Sequence, residues 1–364
     1  MPSQTTPEIA LALSGGGIRA MVFHLGVLKF LAERGMLEQV TRISTVSGGS
    51  LLVGLIFQHN SLRWPSSEAF LASTFPALRL KLCSRSLQWG ALRQLLNPVN
   101  FRFIFSRANL LALALRNEWK VEARLTDLPD QPEWSINGTT AENGKRFRFK
   151  AGSFGDYSLG YATPGNFPLA NALAVSAAFP GGFGPLTLDA SRFVWRKRQW
   201  DTDAGSEQPV DIGYRRLHLY DGGVYDNLGL EPLFDAGRSQ SKHAGTRIVV
   251  SDAGSPLPGG FAFNVLNPFR LKRVADIMAD QARALRVRTF STYLQAENGR
   301  GALLCIGDST GHDFQPLQAF ASGFPTTLRR LSHDEFEKLA DHGYRVALES
   351  SAIGLAEATT KTTE

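Results

Sequence analysis

Residues Ile9-Ala10-Leu11-Ala12-Leu13 form an uncharged apolar run with no helical period, the pattern of a short strand buried on both faces. After Ser14 to Gly17 the period changes. Val22, Leu25, Leu28, Leu31 and Ala32 recur at helical spacing, and Gly35 closes that helix. A second strand, Arg42 to Val46, runs into Ser47-Gly48-Gly49-Ser50 and a helix carrying Leu51, Leu52, Leu55 and Ile56. Farther along, Arg146 to Lys150 alternates Arg, Phe, Arg, Phe, Lys at strand period, and Thr246 to Ser251 and Ala302 to Ile306 read as apolar strands. Another strand-like run ends at Asp221. Ser332-His333-Asp334-Glu335 opens a last helix along Phe336, Leu339, Tyr344, Val346 and Leu348. The segment 188–216, rich in charge, tryptophan and turn residues, reads as a loop or hairpin insertion that shapes access to a site. The pattern predicts one α/β domain over residues 1–355, a polar tail at 356–364 and no internal repeat.

Two strand-to-helix junctions carry chemistry. Gly15, Gly16 and Gly17 let the backbone turn sharply and leave N–H groups free to face an anion, and Arg19 adds fixed positive charge beside them. Ser47 sits at an elbow whose small neighbours, Gly48 and Gly49, tolerate a strained backbone at the head of a helix. A serine needs a base, and Asp221 in Leu219-Tyr220-Asp221-Gly222-Gly223 is the best candidate, since two following glycines allow close approach of that loop to another backbone. Asp226 and Asn227 would brace the loop. A free carboxylate is a feeble base for an alcohol, so Asp221 must sit where its proton affinity is raised, and flanking Leu219, Tyr220, Val224 and Tyr225 suit such burial.

Two other chemistries use the same residues. Gly15-x-Gly17-x-x-Ala20 fits a dinucleotide fingerprint, but that site needs an acid at the end of the second strand, where this chain has Ser44 and Ser47; Glu33 and Glu38 lie in or just after the helix. A Ser-His-Asp hydrolase needs a histidine after the acid. His243, His312, His333 and His342 follow Asp221 without a glycine-bounded loop signature, while His24 and His218 read as structural. Only one strand precedes the one carrying Ser47, fewer than that fold usually builds.

Taken in order, the glycine loop, the serine elbow, the block Ala174-Val175-Ser176-Ala177-Ala178-Phe179-Pro180 and the Asp-Gly-Gly motif resemble the patatin-like phospholipase family over about residues 8–235. The resemblance implies a three-layer α/β/α sandwich with a mainly parallel central sheet and a helical lid-like insertion. It further implies a lipid acyl hydrolase of phospholipase A or lysophospholipase type, with Ser47 as nucleophile and Asp221 as base in a Ser-Asp dyad. Gly15, Gly16, Gly17 and Arg19 would serve the oxyanion, and Gly49, Gly222 and Gly223 would support the loops. The substrate would be a phospholipid or other glycerolipid, with no cofactor and no metal. One departure is visible: Thr45 stands where the elbow motif has its first glycine. A non-catalytic or activator-dependent lipid-binding module on the same fold stays open.

Charge distribution adds a partner. The net charge is +6, and residues 69–117 contain no acid, while Arg79, Lys81, Arg85, Arg93, Arg102, Arg107 and Arg116 are interleaved with Phe70, Phe75, Trp89, Phe101, Phe103 and Phe105. Such a segment suits the surface of an anionic membrane or a lid over the acyl site; it equally suits a helical insertion packed on the sheet with arginines in solvent. Nucleic acid is not expected, since no recognisable module accompanies the charge. The stretch Arg270 to Arg288, which includes Asp276 and Asp280, reads as a solvated helix face. Cys83 and Cys305 read as reduced packing groups. With no apolar leader ahead of Ile9, the expected location is cytoplasmic and peripheral to membrane, and export by a route independent of a signal peptide stays open. Asn137-Gly138-Thr139 reads as a turn, or as a glycosylation sequon in an exported chain. Oligomeric state is not legible.

Overall fold

The computed structural model describes residues 7–103, 106–180, 183–199, 202–203, 205–257, 259–261, 269–308 and 315–351. In chain order, β1 (Ile9–Leu13), α1 (Gly17–Glu33), β2 (Val40–Thr45) and α2 (Gly48–His59) build the first two strand-helix units. The helical insertion follows, with α3 (Ser67–Ala69), α4 (Phe75–Ser84), α5 (Leu87–Arg93) and α6 (Arg107–Trp119). Next come β3 (Glu133–Thr140), β4 (Arg146–Phe149), β5 (Phe154–Asp156), β6 (Gly160–Ala162), α7 (Leu169–Ser176), β7 (Leu186–Asp189), β8 (Trp195–Lys197), β9 (Gln208–Pro209), β10 (Arg216–Asp221) and α8 (Gly223–Asp226). The chain continues with β11 (Phe234–Asp235), β12 (Gln240–Ser241), β13 (Arg247–Asp252), α9 (Phe269–Gln295), β14 (Gly301–Cys305), α10 (Gln315–Gly323) and α11 (His333–Ser351).

One mixed sheet runs in the order β14-β13-β1-β2-β3-β4-β5-β6-β8-β9, and its first five strands are parallel throughout. Alternation within β1 shows why both faces need cover. Ile9, Leu11 and Leu13 join the larger core under α1, α2, α7 and α11, whereas Ala10 and Ala12 join a second core with Leu228, Phe290 and Tyr293 under α9. Helices on both faces of a mixed sheet whose central strands are parallel make the expected three-layer α/β architecture.

The geometry that matters for the site lies on β3. Parallel β2 pairs with its first half, Thr45 opposite Ile136, and antiparallel β10 pairs with its last residues, Asp221 opposite Gly138. Because β4 occupies the other edge of β3 from Ile136 to Thr139, β2 and β10 share one edge and run head to head along it. Their C-terminal ends therefore meet, and the residues that follow each strand are brought together.

The segment 188–216 does contain the expected hairpin, β8 with β9, but it forms the far edge of the sheet, away from β2 and β10. Asn137 corrects another expectation. It lies in β3 and is buried, with its amide donating to Ser44 Oγ (3.0 Å) and the Thr45 carbonyl (2.9 Å), so the segment is neither a turn nor an accessible sequon. Both cysteines are free and half-buried. Among the described residues no helix is long and apolar enough to cross a membrane. The tail 356–364, Phe105 and His312 lie outside the described residues.

Candidate active site

Ser47 adopts φ 50° and ψ −117°, a conformation that non-glycine residues rarely hold. Its surroundings over-determine it. The Ser47 N–H donates to Ser176 Oγ (3.0 Å), and that hydroxyl donates in turn to the Asn137 carbonyl (2.7 Å) and bonds Ser50 Oγ (2.8 Å). A Cβ on Gly48 would fall 2.3 Å from the Gly17 carbonyl, and one on Gly49 2.4 Å from the Leu13 carbonyl, so the elbow admits glycine alone at both positions. Thr45, the departure from the elbow motif, is buried at the strand end, where its hydroxyl meets Ser50 Oγ (2.7 Å) and accepts from Trp134 Nε1 (2.9 Å).

The hydroxyl of Ser47 lies close enough to the carboxylate of Asp221 to pull its pKa down. Asp221 is buried; burial pushes its pKa up to about 7, against the opposing pull of that hydroxyl and of the Gly223 N–H, which donates to Oδ1 at 2.6 Å. Gly222 is required where it stands, since a Cβ there would lie 2.5 Å from the Asn137 carbonyl. The block Ala174–Pro180 touches both partners: Ser176 holds the elbow amide, and the Ala178 carbonyl accepts from the Asp221 N–H (3.2 Å).

The glycine loop lies alongside, with the Cβ position of Gly15 3.1 Å from Ser47 Cβ. Two members of the expected oxyanion set are spent elsewhere. The Gly15 N–H donates to the Asn227 carbonyl (3.1 Å) and braces the aspartate loop. Arg19 is buried and turns its guanidinium to the carbonyls of Ala253 (3.0 and 3.2 Å) and Phe324 (2.5 Å), so it stitches the loop to two distant segments. Among the described residues no protein acceptor takes the N–H of Gly16, Gly17 or Gly48. The sequence reading did not name the Gly48 N–H, although the position after an elbow serine is itself a signal for such a donor.

Among the described residues no histidine bonds Ser47 or Asp221. His24 is fully buried between Ser251 Oγ (2.7 Å) and the Ser14 carbonyl (3.0 Å), and burial lowers its pKa to about 4. His218 pairs with Glu142, and His342 meets the Ile306 carbonyl.

Two further residues escaped the sequence reading. Arg283 and Arg286, one turn apart on α9, are not a solvated face: Arg283 bonds the fully buried Asp252 (Nε 2.8 Å) and Arg286 reaches the buried Asp226 (3.5 Å). Asp226 accepts from the N–H groups of Leu228 and Glu231 and so shapes the loop after Asp221, as expected of a brace. Asp252 holds Gly254, beside the Ala253 carbonyl that Arg19 grips. Arg283→Gln or Arg286→Gln would leave a buried carboxylate unpaired, and each is expected to lower stability by about 3–5 kcal/mol. Thermal melts would read this, with Asp252→Asn in the Arg283→Gln background recovering part of the loss.

The model of the patatin-like phospholipase family matches residues 11–234, which include every residue named around Ser47 and Asp221 up to Glu231. The chain belongs to the patatin-like phospholipase family. Among curated relatives, lysophospholipase 3 of Saccharomyces cerevisiae is 37% identical over 79 residues, 19% of this chain and 11% of that protein. A lysophospholipase of Kluyveromyces lactis is 34% identical over 77 residues, 18% of this chain and 12% of that one. Thus the chain matches about a tenth of the length of these relatives. In fold it is similar to human GIVD cytosolic phospholipase A2, with a TM-score of 0.55 at 14% identity over 95% of this chain and 59% of that one.

Proposed function

We propose that this chain is a serine-dependent lipid acyl hydrolase that cleaves glycerolipid esters through an acyl-Ser47 intermediate. The observation that carries the reading is the strained Ser47 elbow facing a buried carboxylate of raised proton affinity, beside three backbone amides with no protein acceptor among the described residues. Ionised Asp221 takes the proton as Ser47 Oγ attacks the ester carbonyl, and the Gly16, Gly17 and Gly48 amides stabilise the oxyanion. Protonated Asp221 then returns its proton to the departing alcohol. In the second half, Asp221 deprotonates a water that attacks the acyl-serine, and Ser47 leaves with that proton, releasing a fatty acid. Lysophospholipase names among the relatives and the family itself support a phospholipid substrate.

The test is covalent labelling by an alkyl fluorophosphonate, located by peptide mass spectrometry, together with fatty-acid release from phospholipid vesicles. A label on Ser47 and release that the label abolishes are expected. Release without labelling of Ser47 would remove it from the mechanism, and labelling without release from any phospholipid or lysophospholipid would remove the substrate class.

A further inference from the structure

The helical insertion separates its apolar residues into two groups. Phe70, Leu78, Leu82 and Leu87 are buried in the main core, whereas Trp89, Leu92, Leu96, Val99 and Phe101 are 48–83% exposed. The exposed positions 89, 92 and 96 recur at helical spacing on α5 and the short turn that continues it, so they share a side, and Val99 and Phe101 are exposed on the next turn, after the extended Asn97. The opposite side of α5 is packed: a Cβ on Gly90 would fall 2.7 Å from the Glu118 side chain at the end of α6. Arg85 and Arg93, each four residues from Trp89, flank the exposed side and share one carboxylate, Glu118, at 3.4 and 3.5 Å. An exposed apolar patch with a tryptophan and surplus guanidiniums has the chemistry of a membrane-interface helix, rings among the headgroups and cations on lipid phosphates.

Position links this side to the site. The Gln88 N–H donates to the Leu328 carbonyl (3.0 Å), and Thr327 Oγ1 donates to Gln88 Oε1 (2.9 Å). The Thr327 carbonyl accepts from the Ile18 N–H (2.8 Å), and a Cβ on Gly17 would fall 2.6 Å from it. One residue layer therefore separates α5 from the oxyanion loop.

We propose that Trp89, Leu92, Leu96, Val99 and Phe101, with Arg85 and Arg93, form the surface on which this chain docks to an anionic lipid membrane, bringing the Ser47 site to its substrate. The proposal rests on the lipid-hydrolase reading for its purpose and on exposure and charge for its location. Two guanidiniums share the single Glu118 carboxylate, which leaves a positive charge uncompensated at this surface, so anionic headgroups are the ligand chemistry.

The experiment measures co-sedimentation with vesicles of phosphatidylcholine alone or with 30% phosphatidylglycerol, alongside fatty-acid release and turnover of a short-chain soluble ester. The wild-type chain should prefer the anionic vesicles. Trp89→Ala/Leu92→Ala/Leu96→Ala should weaken that binding by about 100-fold, and Arg85→Gln/Arg93→Gln by about tenfold, with soluble-ester turnover within about twofold of wild type. Unchanged vesicle binding by the triple variant would overturn the proposal, as would a concentration-dependent dimer that the triple variant abolishes, which would assign the surface to a second copy. Absence of turnover on both substrates with vesicle binding still lost in the variants would sink the hydrolase reading and leave the docking surface standing.

Discussion

Ser47→Ala is expected to abolish ester turnover, by at least about 10⁴-fold, while leaving the fold intact. The residue is the nucleophile in the proposed mechanism, so its loss removes the acyl-enzyme route altogether. Ser47 Oγ carries little of the structure, because the elbow is held by its backbone N–H to Ser176 and by the glycines at 48 and 49. Alanine at φ 50° is as strained as serine, so the melting temperature should move little. Fatty-acid release and a thermal melt on one preparation check both halves. Turnover within tenfold of wild type would place the nucleophile elsewhere.

Asp221→Asn is the second large effect, and it acts in opposite directions on rate and stability. Wild-type kcat/KM should rise with pH through about 7 and level above it, because the base must be ionised. The asparagine variant should lose that rise together with most of its activity, by about 10²–10⁴-fold. For stability, the folded pKa of about 7 stands above the ordinary carboxylate value of 3.8, so burial disfavours the ionised form. Below pH 4 Asp221 is protonated folded or unfolded and there is no penalty. As pH rises from about 4 to 7 the wild type should lose stability through this group, by up to about 4 kcal/mol, and then stay level. Asparagine never ionises, so the variant should be the more stable protein at pH 8 and should match the wild type near pH 4. Denaturant melts at the two pH values decide it; equal stability at pH 8 would mean that the carboxylate is not held out of water.

Elements whose signal is local were legible from the chain. β1 is apolar at all five positions because both faces of the sheet are covered, and the period of α1 starts where the glycine loop ends. The elbow and the Asp-Gly-Gly motif could be read because each demands glycine at a fixed offset from the serine or the aspartate, and the structure shows those demands at positions 48, 49 and 222. The basic, aromatic segment was expected either to pack or to stay exposed, and it does both in separate residues, since only tertiary contacts decide which side of each helix is covered.

What the sequence by itself determined is the glycine loop, the serine elbow and the Asp-Gly-Gly motif, the strands and helices that carry the first two, and the likeness to the patatin-like phospholipase family. The tertiary structure decided how the groups are used. Nothing in the spacing of residues 47 and 221 says that β2 and β10 run head to head along one edge of β3, yet that alone brings the two side chains together. Gly15 and Arg19 left the expected oxyanion set because their donors met carbonyls of Asn227, Ala253 and Phe324, which sequence separation hides. Arg283 and Arg286 looked like solvent-facing charge because helical periodicity shows which residues share a face, and only the packed sheet shows that buried carboxylates wait beneath it.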